Sequence, residues 1–213
     1  MRQRSQWPIT VDHITMPLVI LFITIALYFA PDNAVNNLVY NRQQLADGQL
    51  WRLLTGHFLH TNVIHLVLNC SALILLWALH GQFYSIKNYL SLFIFSSIFI
   101  SIGLYYCSIN LQQYVGLSGV LHSIFVWGAL KDIQTKENTG YVLLIGAILK
   151  IAHEQIYGAS SEVVKLIHAP VAIDAHLWGA LAGTLFFCSG VVLNKLHKHI
   201  NSTATHSHKK PII

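Results

Sequence analysis

A serine set between glycines is the first residue of this sequence that could act as a nucleophile. The segment Gly116-Leu117-Ser118-Gly119 opens an apolar stretch, and its glycines let a backbone or a substrate approach the serine hydroxyl closely. A serine hydroxyl becomes a nucleophile when an adjacent base accepts its proton. Small residues in membrane helices are more often packing contacts, so this motif alone indicates only a candidate nucleophile, with Gly116, Leu117 and Gly119 as a candidate pocket.

A histidine at the start of another apolar stretch is the candidate base. Gly179 and Gly183 lie on the same helical face as Ala175 and close to the face of His176. A face of small residues lets another helix approach closely, and the glycine-lined start of the stretch that contains Ser118 is the natural partner. We therefore expect the His176 imidazole to lie within hydrogen-bond reach of Ser118, although a lone histidine at a helix end is more often structural.

A second polar pair, His65 and Asn69, lies in an earlier apolar stretch. Their i, i+4 spacing places both on one helix face, and both can donate hydrogen bonds to the oxyanion that forms when a peptide carbonyl is attacked. If each residue of a helix adds about 1.5 Å, counting from Lys131 and from His80 places Ser118 at a membrane depth between those of His65 and Asn69. We expect His65 and Asn69 to stabilise the oxyanion; ordinary polar contacts between helices are the alternative.

The acidic residues offer no clear partner for the imidazole. Asp174 is two residues from His176, and residues at i, i+2 do not face each other on a helix. We therefore expect a Ser–His pair rather than a triad. Lys150 and Glu154 form an i, i+4 pair near His153, and they either neutralise each other at the membrane interface or recognise a substrate. The spacing leaves both readings open.

Six apolar stretches must position these residues. Of the 213 residues, 54% are hydrophobic and 10% are charged, whereas a soluble domain carries about 25% charged residues. Most stretches are near or slightly below the roughly 20 residues that cross a bilayer. The sequence therefore predicts an all-α bundle of six transmembrane helices, over residues 14–30, 63–79, 89–107, 115–130, 140–152 (with an extension to 157) and 175–193.

The distribution of Lys and Arg predicts the orientation. Most of the basic residues fall in segments that lie on the inner side if both termini are cytoplasmic, as the positive-inside rule requires. We expect one membrane domain over residues 1–194, followed by a basic, histidine-rich cytoplasmic tail over 195–213 that is disordered. The long outward segment 32–61 contains Trp51 and Arg52, which are candidates for anchoring at the lipid headgroups.

Other classes of protein fit the sequence poorly. The net charge of +5 arises from basic residues at the ends of apolar runs, so we expect membrane lipids rather than nucleic acid as partners. The three cysteines show no CxxC spacing, and the chain has no H-E-x-x-H motif. His57 and His60 are spaced i, i+3, but without such a motif we predict neither a metal site nor a cofactor.

The sequence resembles the rhomboid family of intramembrane serine proteases. The resemblance is carried by Trp51-Arg52, His60, His65, Asn69, Gly116-x-Ser118-Gly119 and Ala175-His176-x-x-Gly179-x-x-x-Gly183. It implies a six-helix rhomboid fold in which Ser118 and His176 form a catalytic dyad. In that family, residues that match His65 and Asn69 stabilise the oxyanion together with backbone N–H groups.

Three further stretches resemble the rhombosortase branch of that family. They are GLSGVLHSIFVWGAL (116–130), KIAHEQ (150–155) and VAIDAHLWGALAG (171–183). This resemblance implies a substrate class, namely secreted bacterial proteins with a C-terminal sorting tail of Gly-Gly, a hydrophobic helix and a basic end. It also implies a multi-pass protein of the bacterial inner membrane, in a Gram-negative cell, with an active site that opens to the periplasmic side.

One position departs from the wider family. Many rhomboids carry a tyrosine four residues after the serine, beneath the catalytic imidazole, and here that position is His122. It lies one helical turn below Ser118, where it can stack on His176 or hydrogen-bond near it. We count it as a pocket residue, since it lies deeper and farther from water than a base should.

Two alternatives remain open on the sequence. One is a general rhomboid protease that cuts ordinary transmembrane helices. The other is a non-catalytic rhomboid-like protein that binds membrane proteins. Such binding proteins typically lose the serine or the histidine, and this chain retains both Ser118 and His176.

Overall fold

The computed structural model describes residues 10–207, and the side chains of 194, 197–199 and 201–207 are not described. Within that range the chain is mostly helical, with one two-stranded antiparallel sheet in which Tyr40 pairs with Tyr114. The elements are α1 Val11–Tyr28, α2 Asp32–Asn36, β1 Tyr40–Asn41, α3 Arg42–Ala46, α4 Arg52–Thr55, α5 Val63–His80, α6 Ile86–Cys107, β2 Gln113–Tyr114, α7 Ser118–Gln134, α8 Thr139–Tyr157, α9 Ser161–Ile167 and α10 Ile173–Ser207, with short 3-10 turns at Gly56–Phe58 and Gly81–Phe83.

Local sequence signals fix several helix ends. The side chain of Asn62 accepts a hydrogen bond from the backbone N–H of His65 and caps α5. Ser85 caps α6 in the same way. At the C-terminal end of α8, Gly158 has a φ of +83°, a backbone conformation that favours glycine. Side-chain caps satisfy the first N–H groups of a helix, which have no acceptor within the helix itself.

Helix α7 lies at the centre of the bundle. It packs against α5, α6, α8 and α10, and ten of its 17 residues are buried. The core around it contains Ile100 and Leu104 of α6 with Val120 and Ile124 of α7. Ser96 and Ser123, both fully buried, hydrogen-bond across α6 and α7 at 2.6 Å. This hydrogen bond satisfies two buried hydroxyl groups inside the bundle.

Large apolar side chains cover the outside of the long helices. Leu75 of α5, Leu149 of α8 and Leu193 of α10 are each more than 60% exposed. A soluble protein would bury such side chains, whereas a bilayer solvates them. The protein is therefore built as a multi-pass membrane protein.

Among the described residues, four helices are long and apolar enough to cross a membrane. They are Val11–Tyr28, Val63–Phe83, Ile86–Cys107 and Ile173–Leu193. Helices α8 and α9 meet at an angle of 86°, and they make a fifth candidate if the bent pair counts as one span. The predicted fourth stretch forms α7, whose burial by other helices reduces its contact with the surroundings.

The predicted headgroup anchor at Arg52 is wrong. Its side chain is 1% exposed, and its guanidinium donates to the backbone oxygens of Val39 at 2.6 Å and Asn36 at 3.1 Å. Arg52 therefore holds the first loop together from inside the protein. The exposed Trp51 donates to the backbone oxygen of Asn37 at 2.9 Å and secures the same loop from outside.

The predicted disordered tail also needs correction. Helix α10 continues without a break through residues 195–207, so this part is helical. The physical reason is that no glycine or proline follows Gly190 in α10, so the stretch lacks the two strongest helix breakers. Residues 208–213 of the predicted tail lie outside the described residues.

Candidate active site

Ser118 is the first residue of α7, and an irregular turn presents it there. The predicted fourth stretch begins at residue 115, but 115–117 are not helical, because Gly116 has φ +135, which favours glycine. The backbone N–H of Gly116 donates to the oxygen of Gly56 at 3.2 Å. The hydroxyl of buried Tyr114 donates to the oxygen of Gly116 at 2.5 Å. Ser118 therefore sits at a helix N-terminus on a loop that is held from both sides.

The close approach of α7 and α10 brings Ser118 and His176 together. The Ser118 Oγ and the His176 Nε2 are 2.9 Å apart, a hydrogen-bond distance. Glycines make the approach possible, since a Cβ built on Gly179 would overlap the carbonyl oxygen of Gly119. A Cβ on Gly183 would likewise overlap the backbone of α7. The contact predicted from the small-residue face is present.

An acidic residue does orient the imidazole, contrary to the prediction of a simple pair. The His176 Nδ1 lies 2.8 Å from Glu154 Oε2, and both side chains are largely buried. The carboxylate accepts the Nδ1–H proton, so Nε2 keeps a lone pair directed at the Ser118 hydroxyl. Serine, histidine and glutamate thus form one hydrogen-bonded chain.

Glu154 is itself held by a cation. The other carboxylate oxygen, Oε1, lies 2.7 Å from the Nζ of Lys150, whose side chain is 50% exposed. The Lys150–Glu154 pair therefore does more than neutralise two charges at the membrane interface, because the Glu154 carboxylate contacts both Lys150 and His176. Asp174 takes no part in the hydrogen bonds that link Ser118, His176 and Glu154, since its carboxylate accepts hydrogen bonds from Ser108 and Gln155 instead.

His122 lies against the imidazole of His176. The two rings are stacked, with centroids 4.1 Å apart and an interplanar angle of 18°. The His122 Nδ1 is 2.7 Å from the backbone oxygen of Ser118. Because a carbonyl oxygen only accepts, His122 donates from Nδ1 and its Nε2 carries the lone pair. Stacking of this residue on His176, as its position after the serine predicts, is present.

His65 reaches the loop before the serine. A Cβ built on Gly116 would lie 3.1 Å from the Cε1 and Nε2 atoms of His65 and 4.0 Å from Ser118 Oγ, so the imidazole borders the space beside the serine. Thr61 contacts the other ring nitrogen, with its Oγ1 3.2 Å from Nδ1. Asn69 is buried below and donates to the backbone oxygen of His65 at 3.2 Å.

The segment α9 is tied to the helix that carries His65. The Thr61 hydroxyl donates to the backbone oxygen of Ile167 at 2.7 Å, and the Asn62 side chain donates to that of Leu166 at 2.9 Å. The bend between α8 and α9 thus returns the chain toward the start of α5. It places α9 against the start of the helix that carries His65.

Two further histidines in this region are structural. His57 is fully buried and bonds through Nε2 to the backbone oxygen of Ser97 at 3.0 Å, and burial lowers its pKa to about 4. His60 meets His65 edge to face at 4.8 Å, and burial lowers its pKa to about 3. Both imidazoles are therefore neutral at physiological pH. His153 is exposed and packs on Tyr157.

One group of side chains near the serine could hold a metal ion. His122, Glu154 and His176 each offer one ligand atom, and these atoms all lie within 4.8 Å of one another. The prediction of no metal site rested on motifs of neighbouring residues. This group combines residues from three separate helices, which such motifs do not detect.

The comparison with protein families agrees with this architecture. The Rhomboid domain matches residues 47–191, which includes all the residues of the hydrogen-bonded chain. No curated protein matches the sequence. Proteins of the rhomboid family are generally intramembrane serine proteases. Because the match covers more than half of the sequence, this chain belongs to the rhomboid family.

Proposed function

We propose that this chain is an intramembrane serine endopeptidase in which Ser118 is the nucleophile and His176 the general base. One observation carries the proposal: His176 contacts Ser118 Oγ through Nε2 at 2.9 Å and Glu154 through Nδ1 at 2.8 Å. A base that is oriented by a third group and bonded to a serine is the arrangement that activates a hydroxyl for attack on a carbonyl.

The reaction is acyl transfer to water. The Ser118 Oγ attacks the scissile carbonyl carbon while His176 Nε2 takes the hydroxyl proton. The imidazolium then protonates the leaving amine, and an acyl-enzyme forms on Ser118. Water attacks this ester as His176 again accepts a proton, and collapse of the second intermediate returns the hydrogen to Ser118. Glu154 remains a carboxylate throughout and stabilises the imidazolium.

The oxyanion is stabilised from two directions. His65 borders the space beside Ser118, and Asn69 lies one turn below it on the same helix. The first N–H groups of α7 have no acceptor within the helix, and the helix N-terminus is electropositive. Donors that are fixed before the reaction stabilise charge as it develops and need no reorganisation. Removal of one such donor typically costs about 10²- to 10³-fold in rate.

The proposed topology has six spans with both termini in the cytoplasm. The serine lies at the N-terminal end of α7, His176 in the first turn of α10 and His65 near the start of α5. Successive spans cross the membrane in opposite directions, so the starts of the second, fourth and sixth spans lie on the same side of the membrane. The distribution of Lys and Arg indicates that this is the outer side. The active site then opens to the periplasmic side of the bacterial inner membrane, where water reaches it.

The proposed substrates are secreted proteins that carry a C-terminal Gly-Gly motif, a hydrophobic helix and a basic end. The support is that the three stretches that resemble the rhombosortase branch meet at the site. His122 comes from the first stretch, Lys150 and Glu154 from the second and His176 from the third. The residues that accompany the serine–histidine pair thus lie in the stretches that resemble that branch.

Co-expression with a Gly-Gly-tailed secreted protein tests this proposal. We expect the protein to lose its tail in the presence of the wild-type enzyme, and mass spectrometry of its new C-terminus identifies the cut. Ser118→Ala and His176→Ala should leave the tail intact while the enzyme remains folded in the membrane. Equal cleavage of a substrate with an unrelated transmembrane tail would instead indicate a general rhomboid protease.

A further inference from the structure

The side chains around His176 have the chemistry of a transition-metal site. His122, Glu154 and His176 offer two imidazole nitrogens and a carboxylate oxygen within 4.8 Å of one another. Zn²⁺ binds these donor types at about 2.0–2.2 Å, and three protein ligands plus one water form its usual open site. Ca²⁺ and Mg²⁺ prefer sites made of oxygen ligands, so this set selects against them.

The hydrogen bonds already prepare two of the three ligands. Histidines that bind metals almost always donate their other ring N–H to a carbonyl or a carboxylate. His122 does so, since its Nδ1 donates to the backbone oxygen of Ser118 at 2.7 Å and leaves Nε2 with a free lone pair. The Glu154 Oε1 is fixed by Lys150, while Oε2 accepts the Nδ1 proton of His176.

We infer that His122, Glu154 and His176 bind Zn²⁺ or a similar divalent transition metal, and that the bound ion reversibly inhibits the enzyme. Metal binding at His176 Nδ1 requires that nitrogen's lone pair, so its proton moves to Nε2. The imidazole stays neutral, but Nε2 then donates to Ser118 Oγ and can no longer accept its proton. The inhibition rests on the proposed function, whereas the binding does not.

Binding must rearrange the stacked rings. A metal lies in the plane of each imidazole that ligates it, but the planes of His122 and His176 are nearly parallel and stacked. Because His176 Nε2 stays on Ser118 Oγ in the inhibited state, the ring of His122 must turn about its χ2 bond and leave the stack. Lys150 opposes binding through its positive charge on the same carboxylate, at 2.7 Å from Oε1. We expect an inhibitory site of moderate affinity rather than a permanently occupied one.

Direct binding is measured on full-length Ser118→Ala protein, purified in detergent without a polyhistidine tag. This protein lacks the nucleophile but keeps all three ligands. Titration with Zn²⁺ against a fluorescent chelator gives the affinity of the site. It is carried out on the Ser118→Ala protein and on the Ser118→Ala protein that also carries His122→Phe. The matched control is His153→Gln, which removes an exposed histidine of α8 from outside the group. We expect His122→Phe to weaken binding at least about 10-fold and His153→Gln to leave it unchanged.

Inhibition is measured on the active enzyme with buffered free Zn²⁺, and each variant is compared with its own rate without metal. We expect a chelator to restore the wild-type rate, and His122→Phe to raise the half-inhibitory concentration at least about 10-fold. Equal binding by the parent and His122→Phe proteins, or a wild-type rate that Zn²⁺ does not lower, would overturn the inference. If the Ser118→Ala protein binds Zn²⁺ through His122 but the wild type cleaves nothing, the metal site stands and the proposed function fails.

Discussion

The carboxylate of Glu154 meets the imidazole of His176 at 2.8 Å, at the ring nitrogen that does not face Ser118. This contact joins α8 to α10 and sets which nitrogen of His176 carries the proton. It also gives the site an acidic member that lies 22 residues before the histidine in the chain. The relationship makes the role of Glu154 directly testable.

Replacing Glu154 with glutamine should lower the rate of cleavage by about 10²- to 10⁴-fold, because an amide no longer fixes the productive tautomer or stabilises the imidazolium. The rate is measured with purified enzyme and a tailed substrate. Asp174→Asn is the matched control, since Asp174 contacts Ser108 and Gln155 rather than His176. Equal losses in the two variants would remove Glu154 from the reaction.

Replacing Lys150 with methionine should have a much smaller effect. Its ammonium is half exposed, and exposed ion pairs contribute about 0.2–1 kcal/mol, which corresponds to less than about a tenfold change in rate. Lys150→Arg should retain the wild-type rate because it keeps the charge beside Glu154. A loss in Lys150→Met as large as that in Glu154→Gln would show that Lys150 does more than hold the carboxylate.

Replacing Gly179 with alanine should separate α7 from α10. The added Cβ would overlap the carbonyl oxygen of Gly119, and overpacking of this kind costs about 1–3 kcal/mol. We expect a lower midpoint of thermal unfolding in detergent and a large loss of cleavage. Gly190→Ala on the same helix is the control, since nothing lies within 4 Å of its added Cβ. Two equally active variants would contradict the close approach of these helices.

Replacing Arg52 with methionine should destabilise the first loop without removing any group of the site. The carbonyl oxygens of Asn36 and Val39 would lose a charged donor, and such hydrogen bonds contribute about 1.5–3 kcal/mol. We expect faster proteolysis within residues 32–58 and a lower unfolding midpoint. Trp51→Phe, which loses one hydrogen bond at an exposed side chain, should change both much less. The reverse order would mean that the loop is secured from outside.

Acid should destabilise the protein partly through His57. Burial lowers its pKa in the folded protein to about 4, below the ordinary histidine value of 6.5, so the unfolded chain binds more protons between these two pH values. The stability from the neutral imidazole is complete above about pH 6.5 and is lost as the pH falls toward about pH 4. We expect His57→Asn to flatten this dependence, measured as the unfolding midpoint against pH. An unchanged slope would exclude His57 as the cause.

Much of the fold followed from the sequence because apolar length and helix breakers are local signals. Helices α1, α5, α6, α8 and α10 lie where the apolar stretches predicted them. The start of α7 was placed too early because the turn at Gly116 depends on contacts with Gly56 and Tyr114, which are distant in sequence. The predicted sixth span, 175–193, matches the candidate span Ile173–Leu193. The continuation of α10 beyond that span was missed because polar composition was taken as a sign of disorder.

The serine and histidine could be paired from the sequence because glycines mark helix faces that approach closely. Glu154 could not be placed, since its partner lies on another helix. Its signal was periodic: Ala147, Ile151 and Glu154 are spaced i, i+4, i+7, and the first two are buried. A carboxylate that continues a buried face needs a partner. That signal becomes decisive only once the packing of α8 against α7 and α10 is known.

The reactivity of the Ser118 hydroxyl is the most direct test of the central claim. A fluorophosphonate probe should label the wild-type protein in membranes, and mass spectrometry should place the label on Ser118. Labelling should disappear in Ser118→Ala and in His176→Ala, both checked for folding by their unfolding midpoints. An unlabelled wild-type protein, or equal labelling of folded His176→Ala, would contradict a serine activated by this histidine.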